Sequence, residues 1–283
     1  MRKSTIIWLI IAASLVISGA LIFTLALCQT NWDFTSLSTT EFTTTTHEIN
    51  DQFKDISIDT TTSNVTILPS SDGKCKVECH DQAEARHTVE IESGELKITF
   101  VDSRKWYDRI EVMNLDFSHI TIYLPDSFSG EISVEATTGD VSVKNLSPKD
   151  LEIDLTTGDI LVENVSCKGN IEIDLSTGET MLKGVKCASL LSEGGTGDMT
   201  LENVIAQGKF EIERTTGDVK FTRCDADEIR FETNTGDVIG SFLTDKNIIP
   251  QTSTGEIIVP SSKTGEKCQI TTNTGDIRIS ISK

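Results

Sequence analysis

The sequence is poor in aromatic residues, which make up only 6% of its 283 positions. This shortage excludes a core built mainly from large interdigitating rings. Threonine, valine, isoleucine and glycine are plentiful instead, and this composition favours stacked β-strands. The apolar share of 37% is sufficient for a modest core, so the chain does not have the composition of a disordered protein.

Positive charge is also scarce. The chain carries 25 Lys and Arg residues against 44 Asp and Glu residues, which gives a formal net charge of -19. An anionic surface is poorly suited to nucleic acid or to acidic wall polymers unless cations bridge the two. We therefore predict no nucleic-acid partner.

No charged residue lies between Lys3 and Asp33. Within this stretch, the 22 residues of Ile6–Leu27 are almost entirely apolar, which is long enough for a helix that crosses a bilayer. The basic residues of this region precede the stretch and every acidic residue follows it, so the positive-inside rule places the N-terminus in the cytoplasm. We predict a single-pass protein of the cell membrane that contacts lipid through residues 4–27, with the remaining chain outside.

A cleaved signal peptide is the alternative, but its apolar core is normally about 7 to 15 residues long. A lipoprotein site at Cys28 is disfavoured because Leu27 occupies a position that usually holds a small residue. The Ser- and Thr-rich residues 29–50 indicate a tether after the anchor.

No catalytic or metal-binding pattern is readable. The four histidines share no spacing typical of a metal site, and no arrangement of nucleophile, base and orienting group can be identified. They are His47, His80, His87 and His119. The sequence therefore predicts a protein that is not an enzyme and has no cofactor.

A tandem repeat organises the second half of the chain. Eight Thr-Gly-Asp or Thr-Gly-Glu triplets recur at intervals of 19 or 20 residues. Its glycines are Gly139, Gly158, Gly178, Gly197, Gly217, Gly236, Gly255 and Gly275. We interpret them as structural corner residues, because glycine adopts the positive φ that a tight corner needs.

Most repeat units have apolar residues two and four positions after the glycine, and five and seven positions before it. This pattern indicates two strands with one apolar face each. Asn145, Asn164, Gly184 and Asn203 mark a second turn in their units. Since one strand pair cannot bury its face alone, we predict an all-β, single-stack β-solenoid of 19–20-residue two-strand repeats after the transmembrane helix. A sandwich of hairpins is the alternative, although its turns would typically recur every 8 to 12 residues or so.

This interpretation divides the chain into four segments. Residues 1–28 form the cytoplasmic tip and anchor, 29–50 the tether, 51–130 an irregular N-terminal β portion with a cap, and 131–283 the regular array.

Stacking would place the acidic residue of each triplet in one column. The column is Asp140, Asp159, Glu179, Asp198, Asp218, Asp237, Glu256 and Asp276. Carboxylates about 5 Å apart repel one another, so a divalent cation such as calcium could bind there. Solvated turn residues are the simpler interpretation, because no ligand cage is evident.

Stacking also brings cysteines together. Cys167 and Cys187 both lie nine residues past a corner glycine, so they would fall within disulfide range in adjacent units, although with parallel side chains. Their bonding stays open. Cys224 and Cys268 replace apolar residues of other units, which indicates simple burial.

Two further features indicate contact surfaces. The segment Trp106 to Phe117 interrupts the pattern, and its Trp106 and Tyr107 suggest either a ligand-contacting loop or a hydrophobic cap. At the C-terminus, the strand Ile277–Ile281 has no visible capping element and only Arg278 and Lys283 to protect its edge. We hypothesise end-to-end self-association or strand addition by a partner at that strand.

From Phe53 onward the chain resembles the bacterial DUF4097 family of candidate adhesins. The resemblance depends on Ile56-Ser57-Ile58-Asp59-Thr60 with Asn64-Val65-Thr66-Ile67, on Ile122-Tyr123-Leu124-Pro125, and on the repeated Thr-Thr-Gly-Asp-Val. It implies a surface-exposed β-repeat domain without assigned catalytic residues. Some relatives lack the long N-terminal anchor.

We therefore expect a non-enzymatic, extracytoplasmic module for adhesion or envelope interaction, whose partner is an unidentified surface protein or glycan. The alternative is an accessory or sensor component of an envelope-stress system that acts through a membrane partner. A glycan-processing enzyme is the least favoured function, because the repeats lack long loops that could wall a cleft.

Overall fold

The computed structural model describes residues 3–29, 42–105, 118–261 and 264–282. Its one helix, α1, covers Lys3–Gln29, and the stretch Trp8–Leu25 is long and apolar enough to cross a membrane. A membrane anchor and a signal sequence both have this character.

The described residues form 25 strands. The strands before the repeat array are β1 (Phe42–Ile49), β2 (Asp55–Thr62), β3 (Asn64–Pro69), β4 (Cys75–Gln82), β5 (Ala85–Glu92), β6 (Glu95–Asp102) and β7 (His119–Leu124). The strands of the first repeats are β8 (Ile132–Thr138), β9 (Val141–Lys144), β10 (Leu151–Thr157), β11 (Ile160–Glu163), β12 (Asn170–Thr177), β13 (Thr180–Lys183), β14 (Lys186–Cys187), β15 (Ser189–Thr196) and β16 (Met199–Glu202). The remaining strands are β17 (Ile205–Ala206), β18 (Lys209–Thr216), β19 (Val219–Cys224), β20 (Glu228–Thr235), β21 (Val238–Phe242), β22 (Lys246–Thr254), β23 (Ile257–Ile258), β24 (Glu266–Thr274) and β25 (Ile277–Ile281).

Two parallel ladders of ten strands each form the solenoid. Ladder one has the order β6-β2-β8-β10-β12-β15-β18-β20-β24-β22, and ladder two has the order β7-β3-β9-β11-β13-β16-β19-β21-β25-β23. The register keeps like positions together, so that Thr157 pairs with both Thr138 and Thr177. The predicted β-solenoid is confirmed, and the apolar columns of the two ladders face each other in one continuous core.

Burial along the strands follows the two-residue period. In β10, for example, Leu151, Ile153 and Leu155 are buried while Glu152 and Asp154 are exposed. A left-handed residue also occupies the predicted second turn, since Asn145, Asn164 and Asn203 have φ between 52° and 55°. The position is filled by Gly184 and Arg223 in two further layers.

The layers at both ends of the solenoid do not follow chain order. The β6–β7 layer lies outside the earlier β2–β3 layer, and the β22–β23 layer lies outside the later β24–β25 layer. The prediction that Ile277–Ile281 is an uncovered edge is therefore wrong for Ile277 and Arg278, which pair with Ile257 and Ile258 of β23, while β21 pairs with the other side of β25. The outer strands at this end are β22 and β23.

Two segment predictions also need correction. Strand β1 pairs with β4 over its whole length, so the tether of residues 29–50 cannot extend past Glu41. The portion 51–130 is more regular than expected, since its strands β2, β3, β6 and β7 add two layers to the ladders. Its irregular part is the antiparallel cap formed by β1, β4 and β5.

The apolar residues expected after Gly255 are less buried than predicted. Ile257 is 42% exposed and Val259 is only partly buried, whereas the equivalent Ile277 is fully buried. The β22–β23 layer is the last one, so no further layer covers these side chains.

Candidate functional site

The corner glycines form a column in which successive backbones approach very closely. All eight have φ between 133° and 154°. A Cβ atom built on Gly197 would lie 1.8 Å from the carbonyl oxygen of Gly178, and each glycine of the column has a similar neighbour. Only glycine fits this corner, because both the dihedral angle and the space exclude a side chain.

The acidic residues that follow the glycines stack as predicted, and their carboxylates bind the backbone. One carboxylate oxygen of Asp140 accepts a hydrogen bond from the N–H of Asp159, and the same bond recurs along the column at 2.7 to 2.9 Å. The side-chain oxygen of Asn64 accepts the equivalent hydrogen bond from the N–H of Asp140. The N–H of Asp237 lowers the pKa of Asp218 below its usual value. The column therefore has a structural role at the corner.

Cation binding by this column stays a prediction. Among the described residues, no group of three or more His, Cys, Asp or Glu side chains could hold a metal ion. One oxygen of most aspartates is already occupied by a backbone N–H, which leaves a single oxygen per layer for a cation.

A second set of carboxylates covers the outer side of ladder one. We call this set the acidic face, and its members are Glu135, Glu152, Asp154, Glu172, Asp174 and Glu193. In-register pairing places Glu152 beside Glu172 and Asp154 beside Asp174. A shallow cleft of about 250 Å³ lies among these side chains.

The carboxylates of the acidic face differ from those of the next layers because they form no ion pairs with described residues. None of its six carboxylates forms an ion pair with a described residue. In the following layers, by contrast, Arg230 pairs with Glu211, Glu213 and Glu232. Unpaired like charges in register repel one another, so the fold gains no stability from them.

A buried polar cluster interrupts the apolar core beneath β15 and β18. Arg214 occupies a core position where the layers before it have Leu155 and Leu175, and it is only 6% exposed. Its Nη2 donates to the Ser192 hydroxyl at 3.0 Å and to the Thr180 hydroxyl at 3.2 Å. Its Nε has no hydrogen-bond partner among the described residues.

Three small or polar residues make room for this arginine. A Cβ atom on Gly194 would lie 1.6 Å from the Arg214 Nη1, while Thr180 and Ser192 replace the apolar residues of neighbouring layers. Burial lowers the pKa of Arg214 to about 10. The hydrogen-bond partners of this desolvated guanidinium are neutral, and the charge of Asp174 on the acidic face only partly offsets its burial, which is an unfavourable arrangement.

The cap contains a second buried network, formed by residues that are distant in sequence. His87 Nδ1 lies 2.9 Å from Asp81 Oδ1, and His87 Nε2 lies 2.9 Å from the Thr60 hydroxyl. The Asp81 carboxylate also accepts hydrogen bonds from the His87 backbone N–H at 2.7 Å and from Ser118 at 2.6 Å. Ser63 donates to Ser118 in turn.

This hydroxyl, imidazole and carboxylate follow the order found in nucleophilic hydrolases, and no spacing of residues along the chain indicated it. Thr60 is, however, only 2% exposed and faces the core, so a substrate cannot reach its hydroxyl. A groove of about 500 Å³ lies nearby between β1 and β5, and Asp81 and His87 line it while Thr60 does not. The network therefore fastens the cap to the first layers.

Comparison with known proteins agrees with this architecture. The family model described as Toastrack DUF4097 matches residues 53–283. The chain belongs to this family. The resemblance identified from the repeat and its flanking motifs is thereby confirmed.

Solved structures are similar to this chain at low sequence identity. A Bacteroides fragilis protein described as a "putative adhesin" is 18% identical, with a TM-score of 0.53, over 85% of this chain and 97% of its own. A Parabacteroides merdae "putative adhesin" is 10% identical over 86% and 97% of the two chains, with a TM-score of 0.45. A Parabacteroides distasonis "putative lipid binding protein" is 12% identical over 85% and 97%, with a TM-score of 0.41. No curated protein matches the chain.

The cysteines of the Toastrack domain are unpaired and buried. Cys167 and Cys187 lie in adjacent layers as predicted, and both are free thiols. Burial raises the pKa of each to about 12, which makes them unreactive. Cys224 and Cys268 are fully buried, and Cys268 pairs in register with Ile229, as the repeat predicted.

The contact loop predicted at Trp106 and Tyr107 lies outside the described residues. Lys283, predicted to protect the terminal edge, also lies outside them. Arg278 forms ion pairs with Asp276 and Glu256.

The unfavourable setting of Arg214 gives a testable prediction for this Toastrack chain. We expect Arg214→Met to raise the free energy of unfolding by about 1 to 2 kcal/mol, because it removes a desolvated charge while keeping most of the side-chain volume. Urea unfolding followed by circular dichroism would measure the change. The matched control is Arg230→Met, which removes a surface arginine with acidic partners and should give no gain. A loss of stability in Arg214→Met would show that the cluster contributes to the fold.

Proposed function

We propose that this protein is a non-enzymatic, membrane-anchored module that binds a partner of the cell envelope through its acidic face. The observation that carries the proposal is the row of six exposed carboxylates, none of them in an ion pair with a described residue, on four successive strands of one ladder. Repulsion among these carboxylates lowers the stability of the fold, and a surface that lowers stability is typical of a functional site.

The proposed partner carries positive charge, either of its own or through bridging calcium ions. The outer side of a parallel ladder is flat, and the acids recur at the strand spacing of about 4.8 Å, so the face suits an extended, repetitive ligand. Adhesion fits this geometry better than catalysis, since the cleft among the acids is shallow and the Thr60 hydroxyl is closed to solvent.

The N-terminal helix completes the proposal. Arg2 and Lys3 precede it and the acidic residues follow it, which favours an extracytoplasmic β domain held at the membrane by an uncleaved anchor. In this orientation the acidic face would be presented to the envelope or to another cell.

Binding of the full-length chain in detergent to isolated envelope fragments would test the acidic face. We expect the variant with Glu152→Gln, Asp154→Asn, Glu172→Gln and Asp174→Asn to bind at least tenfold more weakly than the wild type. The matched control replaces Glu163→Gln and Glu202→Gln, two acids on the outer side of ladder two.

Binding measured with calcium and with chelator distinguishes the two sources of positive charge. Binding that requires calcium indicates a bridged anionic partner, whereas binding that persists in chelator indicates a cationic one. Equal binding by the wild type and the acidic-face variant would contradict the proposal.

A further inference from the structure

The outermost layer at the C-terminal end of the solenoid has strand edges that pair with no described strand. Among the described residues, β22 pairs only with β24 and β23 only with β25, so neither strand has a neighbour on its outer side. The hydrogen bonds between inner layers show which backbone groups of β22 and β23 lack a partner. The N–H groups of Gly275 and Ile277 donate to the carbonyls of Thr254 and Glu256, and the equivalent donors of the last layer are Gly255 and Ile257.

The same reasoning identifies the free groups of β22. In ladder one the residue seven positions before the corner, such as Ile132, donates forward to the next layer. In β22 the forward-facing positions are therefore Ile248, Pro250 and Thr252. Proline has no N–H, so Pro250 removes one of the three donors of β22 that would otherwise be unpaired.

Exposed apolar side chains are concentrated at this end. Within the described β strands, the large apolar residues that are exposed are Val101, Ile249, Ile257 and Ile258. Three of these four belong to β22 and β23, and Ile249 and Ile258 are about half exposed. An apolar patch beside unpaired strand edges is characteristic of a surface that another strand covers.

Charges around the patch are paired within the chain, unlike those of the acidic face. Lys246 forms ion pairs with Asp225 and Glu266, and Arg278 forms ion pairs with Glu256 and Asp276. Two copies of this anionic protein can therefore approach each other at this end with less repulsion than at their sides.

We propose that the partner of this end is a second copy of the chain, bound tail to tail through β22. In an antiparallel pair with its twofold axis at Pro250, Ile248 of one copy faces Thr252 of the other, and each such pair exchanges two N–H to C=O bonds. Pro250 then faces its own equivalent, and this central pair forms no N–H to C=O bond because neither residue has an N–H. The edge is self-complementary, and the exposed isoleucines flank it.

Analytical ultracentrifugation of the full-length chain in detergent, over a concentration series, would test this proposal. We expect a monomer–dimer equilibrium, and we expect Ile249→Lys with Ile258→Lys to raise its dissociation constant at least tenfold. Both side chains are half exposed in the monomer, so these substitutions are compatible with folding, which circular dichroism would check. The matched control is Val101→Lys in β6, an equally exposed apolar residue in the opposite end layer.

Three outcomes would overturn the proposal. The wild type could remain monomeric at the highest concentration, the double substitution could leave the dimer unchanged, or Val101→Lys could weaken it equally. The last result would place the contact elsewhere, for example in the transmembrane helix or at the cap.

Discussion

Replacing Gly197 with alanine should destabilise the β domain by about 4 kcal/mol, which is among the largest effects expected of a single methyl group. The new Cβ would lie 1.8 Å from the Gly178 carbonyl oxygen and 2.6 Å from its carbon. The obstacle is backbone, so no side chain can rotate away. The φ of 136° adds strain, because residues with a Cβ rarely adopt it.

Gly94→Ala separates the two contributions. Gly94 also has a positive φ, 83°, but nothing lies within 4 Å of a Cβ built on it. We expect this control to cost only about 1 to 2 kcal/mol from backbone strain. Urea unfolding followed by circular dichroism would compare the two variants. Equal losses would mean that the close approach of successive layers is not what requires glycine at the corner.

The repeat made the interior of the solenoid predictable. Each triplet marks the same corner, and the apolar residues at fixed distances from it predict the two ladders and their register. The corner column and the burial of Cys224 and Cys268 follow from the same offsets. Residues at the same position in successive units are also in contact in the structure, because every unit packs against a similar unit.

The order of the layers could not be predicted in the same way. Every unit presents nearly the same apolar columns, so β20 can accept either β22 or β24 as its neighbour, and it pairs with β24. One signal was available in the sequence. Pro250 stands in the middle of a strand pattern, and proline inside a strand indicates an edge position. This proline could have identified the Gly255 unit as the outer one, but it was not used in the prediction.

The acidic face was only partly predictable. Glu152 and Asp154, like Glu172 and Asp174, alternate with core residues, and this pattern is typical of a solvated carboxylate surface. The absence of counter-charge there depends on where Arg230 and Lys209 lie, which is a matter of three-dimensional packing. The Arg214 cluster was likewise not recognised, because its four members belong to three different layers.

The cap network shows why the remaining part of the site was missed. Thr60, Asp81, His87 and Ser118 follow no repeat, and they converge only because β4 and β5 fold back onto the first layers. A buried carboxylate with four such contacts could not be anticipated from spacing, because hydrogen-bond networks depend on tertiary placement.

The second large effect is expected at this network, where Asp81→Ala should cost about 3 to 5 kcal/mol. The substitution leaves the His87 backbone N–H, the His87 ring and the Ser118 hydroxyl without their common acceptor in a buried setting. Asp81→Asn keeps the shape and one acceptor oxygen, so we expect an intermediate loss. Asp72→Ala is the matched control in the same cap, because Asp72 is solvent-exposed and should leave stability nearly unchanged.

The pH dependence of these variants gives an independent measurement of the same contact. Burial alone would raise the pKa of Asp81, but hydrogen bonds from His87 and Ser118 outweigh burial, and its pKa is lowered. A carboxyl with a depressed folded pKa stabilises the fold above its unfolded pKa of about 3.9, and this contribution is lost as the pH falls through the folded value. The stability difference between wild type and Asp81→Ala should therefore be constant near neutral pH and shrink below about pH 4. A difference that grows on acidification would mean that Asp81 is protonated in the folded protein, and the network would then be held by a neutral carboxyl group.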